Sequence, residues 1–170
     1  MAAVIPYEKI IDLYHLEPHP EGGHFKETYR SPWTLADEAM PGGFSGERNM
    51  STAIYFLLSE GEKSRFHRLK ADELWHFYLG GSMTLSIIHP DGRLEEVILG
   101  NRVLEGERVQ HLVPGGSWFG GQPNPGTPYS FVGCTTAPGF SFEDFELAHR
   151  AELMGEYPQH ADLIRDLSDL

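Results

Sequence analysis

The residues most able to do chemistry lie in one stretch of the sequence, 61–80. His67 is followed six residues later by Glu73, and a glycine stands at each end of the stretch. A carboxylate within hydrogen-bonding distance of an imidazole orients the ring and raises its basicity. Such a pair can act as a general base that takes a proton from a carbon next to a carbonyl group. His67 and Glu73 are therefore our candidate catalytic residues.

The spacing of this stretch is similar to the first signature of the cupin superfamily, G-x5-H-x-H-x3-E-x6-G, with Leu69 in place of the second histidine. A second element, PGGSWF, resembles the superfamily's P-x-G-x2-H, and Phe119 stands in place of its last histidine. The chain more narrowly resembles the cupin-five group, short single-domain cupins known as a domain of unknown function. That resemblance is carried by the segments 19–31, 51–58, 64–81, 113–120 and 132–147.

The resemblance implies a double-stranded β-helix, the cupin jelly-roll barrel, which is usually a homodimer with a pocket in the barrel mouth. Cupins of this superfamily typically hold a divalent transition metal with three histidines and one glutamate. With two of those positions apolar, we expect no required cofactor. A metal site could still form from His67, Glu73 and His76, although strand alternation points His76 away from Glu73 unless a bulge intervenes. The facing of His111 stays open.

Other side chains near these motifs are candidates for binding a ligand. Phe119, if it faces inward like the ligand it replaces, gives an apolar wall, and Trp75 shares the strand parity of Glu73. Gln110 offers both a donor and an acceptor near the barrel mouth. Tyr29 and Tyr55 complete the predicted lining. An apolar wall with few polar groups is typical of small-molecule sites.

Three functions are compatible with these residues. The first is a metal-independent isomerase or epimerase acting on a small organic ligand, such as a sugar or nucleotide-sugar. The barrel resembles the metal-free sugar epimerases of rhamnose biosynthesis, which use a histidine base with a carboxylate partner. The second is a cupin that binds a small molecule without catalysis, which the absence of histidines at 69 and 119 favours. The third is a metal-dependent enzyme with an incomplete ligand set.

The elements that must position these residues are mostly short strands. Alternating apolar residues bounded by glycine and proline turns predict an all-β core, with a barrel over about 24–146 in a single domain, 1–170. Helical spacing predicts a short helix at 7–16 and a helical tail at 147–170. The segment 19–23, HPEGG, is interpreted as a structural turn. The intervals predict that His67 and Glu73 lie side by side on neighbouring antiparallel strands.

The amino-acid composition limits the classes of molecule that this protein is expected to bind. Thirteen basic and 25 acidic residues give a formal charge of −12, which disfavours nucleic acid and anionic membranes as partners. The single Cys134 excludes an internal disulfide and a cysteine-rich zinc site. No apolar stretch is long enough to span a membrane, and the first residues lack a secretory signal. These features predict a cytoplasmic protein.

Overall fold

The computed structural model describes residues 5–40 and 42–169, which form short strands and three α-helices. The helices are α1 (Tyr7–Tyr14), α2 (Arg150–Glu156) and α3 (Ala161–Asp166). The strands are β1 (Glu17–Pro18), β2 (His24–Arg30), β3 (Thr34–Leu35), β4 (Arg48–Asn49), β5 (Thr52–Ser59), β6 (Ser64–Leu69), β7 (Asp72–Gly80), β8 (Met83–Ile88), β9 (Leu94–Leu99), β10 (Gln110–Val113), β11 (Trp118–Pro123), β12 (Tyr129–Ala137) and β13 (Phe145–Leu147).

Two antiparallel sheets form the barrel. One has the strand order β1-β2-β5-β12-β7-β10 and the other the order β13-β6-β11-β8-β9, while β3 and β4 pair separately. From β5 to β8, and again from β9 to β13, the chain passes from one sheet to the other with each new strand. This alternation confirms the predicted double-stranded β-helix.

The core lies between the sheets, and the helices cover their outer faces. Side chains alternate along each strand, so that Trp75 and Phe77 of β7 point inward. Helix α1 packs on the six-stranded sheet through the buried Ile10, and α3 packs on the other sheet through Ile164. The predicted terminal helices are thus confirmed. None of the helices in the described residues is long and apolar enough to cross a membrane.

The prediction that His67 and Glu73 lie on neighbouring strands is wrong. His67 is on β6 of the five-stranded sheet, where it pairs with Phe119 of β11 and Leu147 of β13. Glu73 is on β7 of the six-stranded sheet, opposite Val113 of β10. The short turn between β6 and β7 is a crossover between sheets and not a hairpin, so the two side chains belong to opposite walls of the barrel.

The turn at 19–23 packs closely against β5 and against Lys63, the residue before β6. Gly22 has φ +113°, and a Cβ there would overlap the backbone oxygen of Lys63. Gly23 has φ +69°, and a Cβ there would come within 2.6 Å of the backbone oxygen of Leu57. Only glycine permits both this backbone conformation and this close approach. The turn therefore has a fixed position relative to β5 and β6.

Replacing Gly22 by alanine should destabilise the fold more than the same change at Gly106. Gly106 also has a positive φ, +95°, but a Cβ there would meet no atom within 4 Å. Gly106→Ala should therefore cost only the conformational strain, about 1–2 kcal/mol. Gly22→Ala adds a clash with the Lys63 backbone. Free energies of unfolding from urea titration measure both, and equal losses would contradict the tight packing of this turn.

Candidate functional site

A cavity of about 590 Å³ lies between the two sheets, within the size range of small-molecule sites. It is bounded by β2, β5, β6, β7 and β12, by the turn at 19–23, and by the segments 47–49 and 140–145. Its surface is mostly apolar, and six aromatic side chains contribute to it. The aromatic side chains are those of Phe25, Phe56, Trp75, Phe140, Phe142 and Phe145.

His67 lies in the wall of this cavity and is fully engaged. Its ring is 2% exposed. Nδ1 is 2.8 Å from the backbone oxygen of Arg65, and Nε2 is 3.1 Å from Oε2 of Glu21. The ring of Phe119 packs against it, with 4.1 Å between the ring centroids. The sequence predicts Glu73 as the carboxyl partner of His67. In the structure that partner is Glu21.

Glu21 reaches His67 because the turn at 19–23 is tied to the start of β6. The backbone oxygen of Glu21 accepts hydrogen bonds from the backbone N–H and the Nε–H of Arg65. Oε1 accepts a hydrogen bond of 2.7 Å from the hydroxyl of Ser64. The backbone N–H of Glu21 donates to Nδ1 of His19, and that nitrogen is 3.5 Å from Oε2. Glu21 is therefore fixed on every side.

The geometry requires a shared proton between Glu21 and His67. A backbone oxygen can only accept a hydrogen bond, so Nδ1 of His67 carries the hydrogen. In the neutral ring Nε2 then has no hydrogen and presents a lone pair. That lone pair faces a carboxyl oxygen, so one proton must lie between them. Burial lowers the pKa of His67 to about 4 and raises the pKa of Glu21. Burial thus disfavours charge on both groups, which favours the neutral pair with the proton on Glu21.

Glu73 is a second buried carboxyl, on the opposite wall. The residue is 7% exposed. Its Oε2 accepts a hydrogen bond of 2.8 Å from Nε1 of Trp75. Among the described residues no basic side chain lies within 4 Å of it. Burial is the main cause that raises the pKa of Glu73 to about 8, and the Trp75 hydrogen bond opposes the rise. At neutral pH Glu73 is a protonated acid that lines the cavity.

The mouth of the cavity carries the charged residues. Arg30 pairs with Glu27, at 2.9 and 2.8 Å, and Arg48 pairs with Asp144, at 2.8 and 3.0 Å. The Arg48–Asp144 pair is buried, so solvent screens its attraction less than it screens that of an exposed pair. Both arginines among the described cavity-lining residues are thus paired with a carboxylate.

The structure brings together some of the predicted site residues and separates others. His67, Glu73 and Trp75 line the cavity, and Phe119 lies behind the wall, against His67 and Trp75. Tyr29, Tyr55 and Gln110 do not line it, which differs from the prediction. Tyr55 alternates with two inward neighbours, so it faces outward and packs on Phe131. Tyr29 follows a bulge in β2 and is 52% exposed.

Gln110 and His76 lie together on the outer face of the six-stranded sheet. Nδ1 of His76 is 3.1 Å from the side-chain nitrogen of Gln110, and Nε2 is 3.1 Å from the hydroxyl of Thr135. His111 approaches Glu95, at 3.2 Å. Gln110, His76 and His111 are therefore not among the residues that line the cavity.

The donor set of the cavity does not fit the usual cupin metal site. Leu69 and Phe119, at two ligand positions, are buried and apolar. The remaining donors, His67 and Glu73, are held by hydrogen bonds to other residues of the protein. Within 5–40 and 42–169, no three histidine, cysteine, aspartate or glutamate side chains are grouped so that they could hold a metal ion. We therefore derive no chemistry through a metal.

Sequence reasoning missed His19 and Glu21. Both stand in the HPEGG segment, which was interpreted as a structural turn only. A signal was available, because two consecutive glycines next to a glutamate and a histidine indicate a tight turn or a close backbone approach beside ionisable groups. What the sequence could not show is that this turn packs against β6, 43 residues further along the chain.

Comparisons with known proteins agree with this architecture. The family model described as cupin superfamily (DUF985) matches residues 8–148. An uncharacterized protein of Saccharomyces cerevisiae is 33% identical over 146 residues, which are 81% of this chain and 72% of the yeast protein. A crystal structure of a Shewanella oneidensis protein is 41% identical with a TM-score of 0.86, and covers 98% of this chain and 99% of its own. A hypothetical protein from Leishmania major is 34% identical with a TM-score of 0.88, over 98% and 100%.

More distant structures share the fold alone. A Bacillus subtilis oxalate decarboxylase is 16% identical with a TM-score of 0.55, over 92% of this chain and 38% of that one. Together with the β-helix and the cavity between its sheets, the match over residues 8–148 settles the family: this chain belongs to the DUF985 family of the cupin superfamily.

Proposed function

We propose that the cavity binds a small organic ligand and that the His67–Glu21 pair moves a proton on it, as an isomerase or epimerase does. The observation that carries this proposal is the buried contact of 3.1 Å between Nε2 of His67 and Oε2 of Glu21, in the wall of a cavity of about 590 Å³. Sites that handle protons commonly contain groups whose surroundings push their pKa values apart. Here His67 and Glu73 are pushed in opposite directions.

The reaction would divide two roles between the two walls. The shared proton first passes to water, and the His67–Glu21 pair, now an anion, accepts a proton from a carbon next to a carbonyl group of the ligand. Protonated Glu73 donates its proton to the carbonyl oxygen, so that a neutral enol forms instead of an enolate. Return of a proton to another face or another carbon completes an epimerisation or an isomerisation, Glu73 takes back the enol hydroxyl proton, and the proton that passed to water is returned, so that both protein groups regain their starting states. General acid–base catalysis of this kind contributes about 10²–10⁴ to the rate.

A sugar is the ligand class that this cavity supports best among those the sequence suggests. Aromatic side chains can pack against the apolar face of a sugar ring, and the neutral carboxyl of Glu73 can hydrogen-bond to its oxygen atoms. The size of the cavity leaves room for a nucleotide-sugar as well, but its charge does not favour one, as the rim arginines are already paired.

Binding without catalysis is the second candidate function, and a specific observation favours it. Nδ1 and Nε2 of His67 both already have partners within the protein. A ligand would then be held by the aromatic walls and Glu73, with His67 serving only to stabilise the wall. The two candidates differ in one respect that can be measured, which is whether a carbon-bound proton of the ligand exchanges with solvent.

We also propose that the protein is a homodimer that associates through the outer face of the six-stranded sheet. This face exposes apolar side chains, among them Leu112 of the edge strand β10 and Tyr78 of β7, which are 47% and 44% exposed. Exposed apolar side chains grouped on one face commonly mark an interaction surface.

Solvent exchange tests the catalytic proposal. In D₂O, the wild-type protein should catalyse deuterium incorporation next to the carbonyl of at least one member of a panel of cyclic ketones, ketoses and keto nucleotide-sugars, measured by NMR. His67→Asn should lower the exchange rate by about 100-fold or more, because the base is lost. His76→Asn, the same change on the outer face, should leave it unaltered. Full activity in His67→Asn, or no exchange with any compound, contradicts the proposal and favours the binding module.

The pH dependence of stability tests the state of Glu73. Its pKa of about 8 in the folded protein is above the usual 4.5, so the folded state binds the proton more tightly than the unfolded state. Wild-type stability should therefore fall as pH rises from about 4.5 to 8, by up to roughly 1.4 kcal/mol per pH unit relative to Glu73→Gln. Glu152→Gln, on the exposed face of α2, should follow the wild type. Parallel curves for wild type and Glu73→Gln would show that Glu73 is ionised.

Light scattering tests the dimer. Leu112→Glu should convert the wild-type dimer to a monomer, because it places a charge in the apolar contact. Ile98→Glu changes a residue of similar exposure, 43%, on β9 of the other sheet and should leave the dimer intact. A monomeric wild type, or dimers of both variants, would rule out this interface.

A further inference from the structure

The rim of the cavity holds two arginines that are not free to bind a ligand. Among the cavity-lining residues that the structure describes, Arg30 and Arg48 are the only arginines, and there are no lysines. Arg30 donates two hydrogen bonds to the carboxylate of Glu27, at 2.9 and 2.8 Å. It is also held by Oδ1 of Asn49 at 2.7 Å and by the backbone oxygen of Phe140 at 3.2 Å.

Arg48 is occupied even more completely. Its Nε and Nη2 donate to the two oxygens of Asp144, at 2.8 and 3.0 Å, and Nη2 also donates to Glu143 at 3.0 Å. The side chains of Arg48 and Asp144 are each 5% exposed. Two-point pairs of this kind use the same donors that would otherwise hold a phosphate or a carboxylate.

The interior offers no positive charge to replace them. The carboxyl groups of Glu21 and Glu73 are buried in the wall, and burial lowers the pKa values of His19 and His67, so that both rings are neutral. An anion brought into this cavity would lose its hydration and would meet no unpaired cation among the described lining residues. A neutral ring, by contrast, can pack on the aromatic walls and accept a hydrogen bond from Glu73.

We propose that the cavity admits uncharged ring-shaped ligands and excludes phosphorylated or carboxylated ones, and that Glu27 and Asp144 set this preference by keeping the rim arginines paired. The inference narrows the ligand class of the proposed function and rests on that function only for the expectation that the ligand carries a carbonyl group. It assigns Glu27 a role in specificity, since Arg30 would face the cavity as a free cation without it.

A matched pair of probes tests the preference directly. 4-Hydroxycyclohexanone and 4-oxocyclohexanecarboxylate share one ring and one carbonyl, and at neutral pH they differ by a single negative charge. Their affinities for the wild-type protein can be measured by ligand-observed NMR, with UDP-glucose as a larger anion. The neutral probe should bind at least about tenfold more tightly than either anion, a difference of about 1.4 kcal/mol.

Two variants separate the role of Glu27 from a general change in charge. In Glu27→Gln, Arg30 loses its carboxylate but keeps Asn49 and the Phe140 oxygen, so it stays at the rim as a free cation. The carboxylate probe should then bind about tenfold more tightly, while the neutral probe changes little. Glu143→Gln removes the same charge from the same rim, but Asp144 still occupies Arg48, so no gain is expected.

The possible results are distinct. Wild-type protein that binds the carboxylate probe or UDP-glucose as well as the neutral probe overturns the proposal, and so does failure to bind any of the three. An equal gain in both variants, or no gain in Glu27→Gln, overturns the role of Glu27. If the neutral probe binds as expected but its hydrogens next to the carbonyl do not exchange in D₂O, the proposed proton transfer fails and the charge preference stands.

Discussion

The candidate site depends on the burial of Glu21, and that burial depends on contacts that neighbouring residues make with its backbone and its side chain. The turn that carries it is closed by Gly22, whose lack of a Cβ lets the backbone meet Lys63. Ser64 and Arg65, at the start of β6, then satisfy the side chain and the backbone of Glu21. With its other contacts fixed, the carboxyl can satisfy its remaining oxygen only by sharing a proton with His67. A structural constraint thus creates the ionisable pair.

The crossover between sheets explains why the two carboxyl groups differ in their partners. If β6 and β7 formed a hairpin, Glu73 would compete with Glu21 for the same imidazole. Because the chain passes to the opposite sheet instead, Glu73 has only Trp75 as a hydrogen-bond donor among the described residues, and burial keeps it protonated. The barrel therefore holds its two buried carboxyl groups, Glu21 and Glu73, in different surroundings within one cavity.

The sequence predicts the fold well and the site only in part, for a physical reason. Strand alternation and turn residues are local, so the all-β core and the inward position of Trp75 can be derived from neighbours along the chain. Tyr29 could not be placed, because a bulge between Glu27 and Tyr29 shifts the alternation of β2. Glu21 was missed because its partners are 43 and 46 residues away, and no local pattern encodes that distance.

The apolar residues at the two missing histidine positions act on the same chemistry. Leu69 lines the cavity and Phe119 packs on the face of His67, so both remove water from around the imidazole. This desolvation is the largest cause of the lowered pKa of His67, and a neutral ring is what allows Glu21 to keep its proton. Had these positions carried imidazoles, His67 would have had polar neighbours in place of a dry wall. The departures from the cupin pattern therefore do more than replace histidines, since they also set the protonation state on which the proposed proton transfer depends.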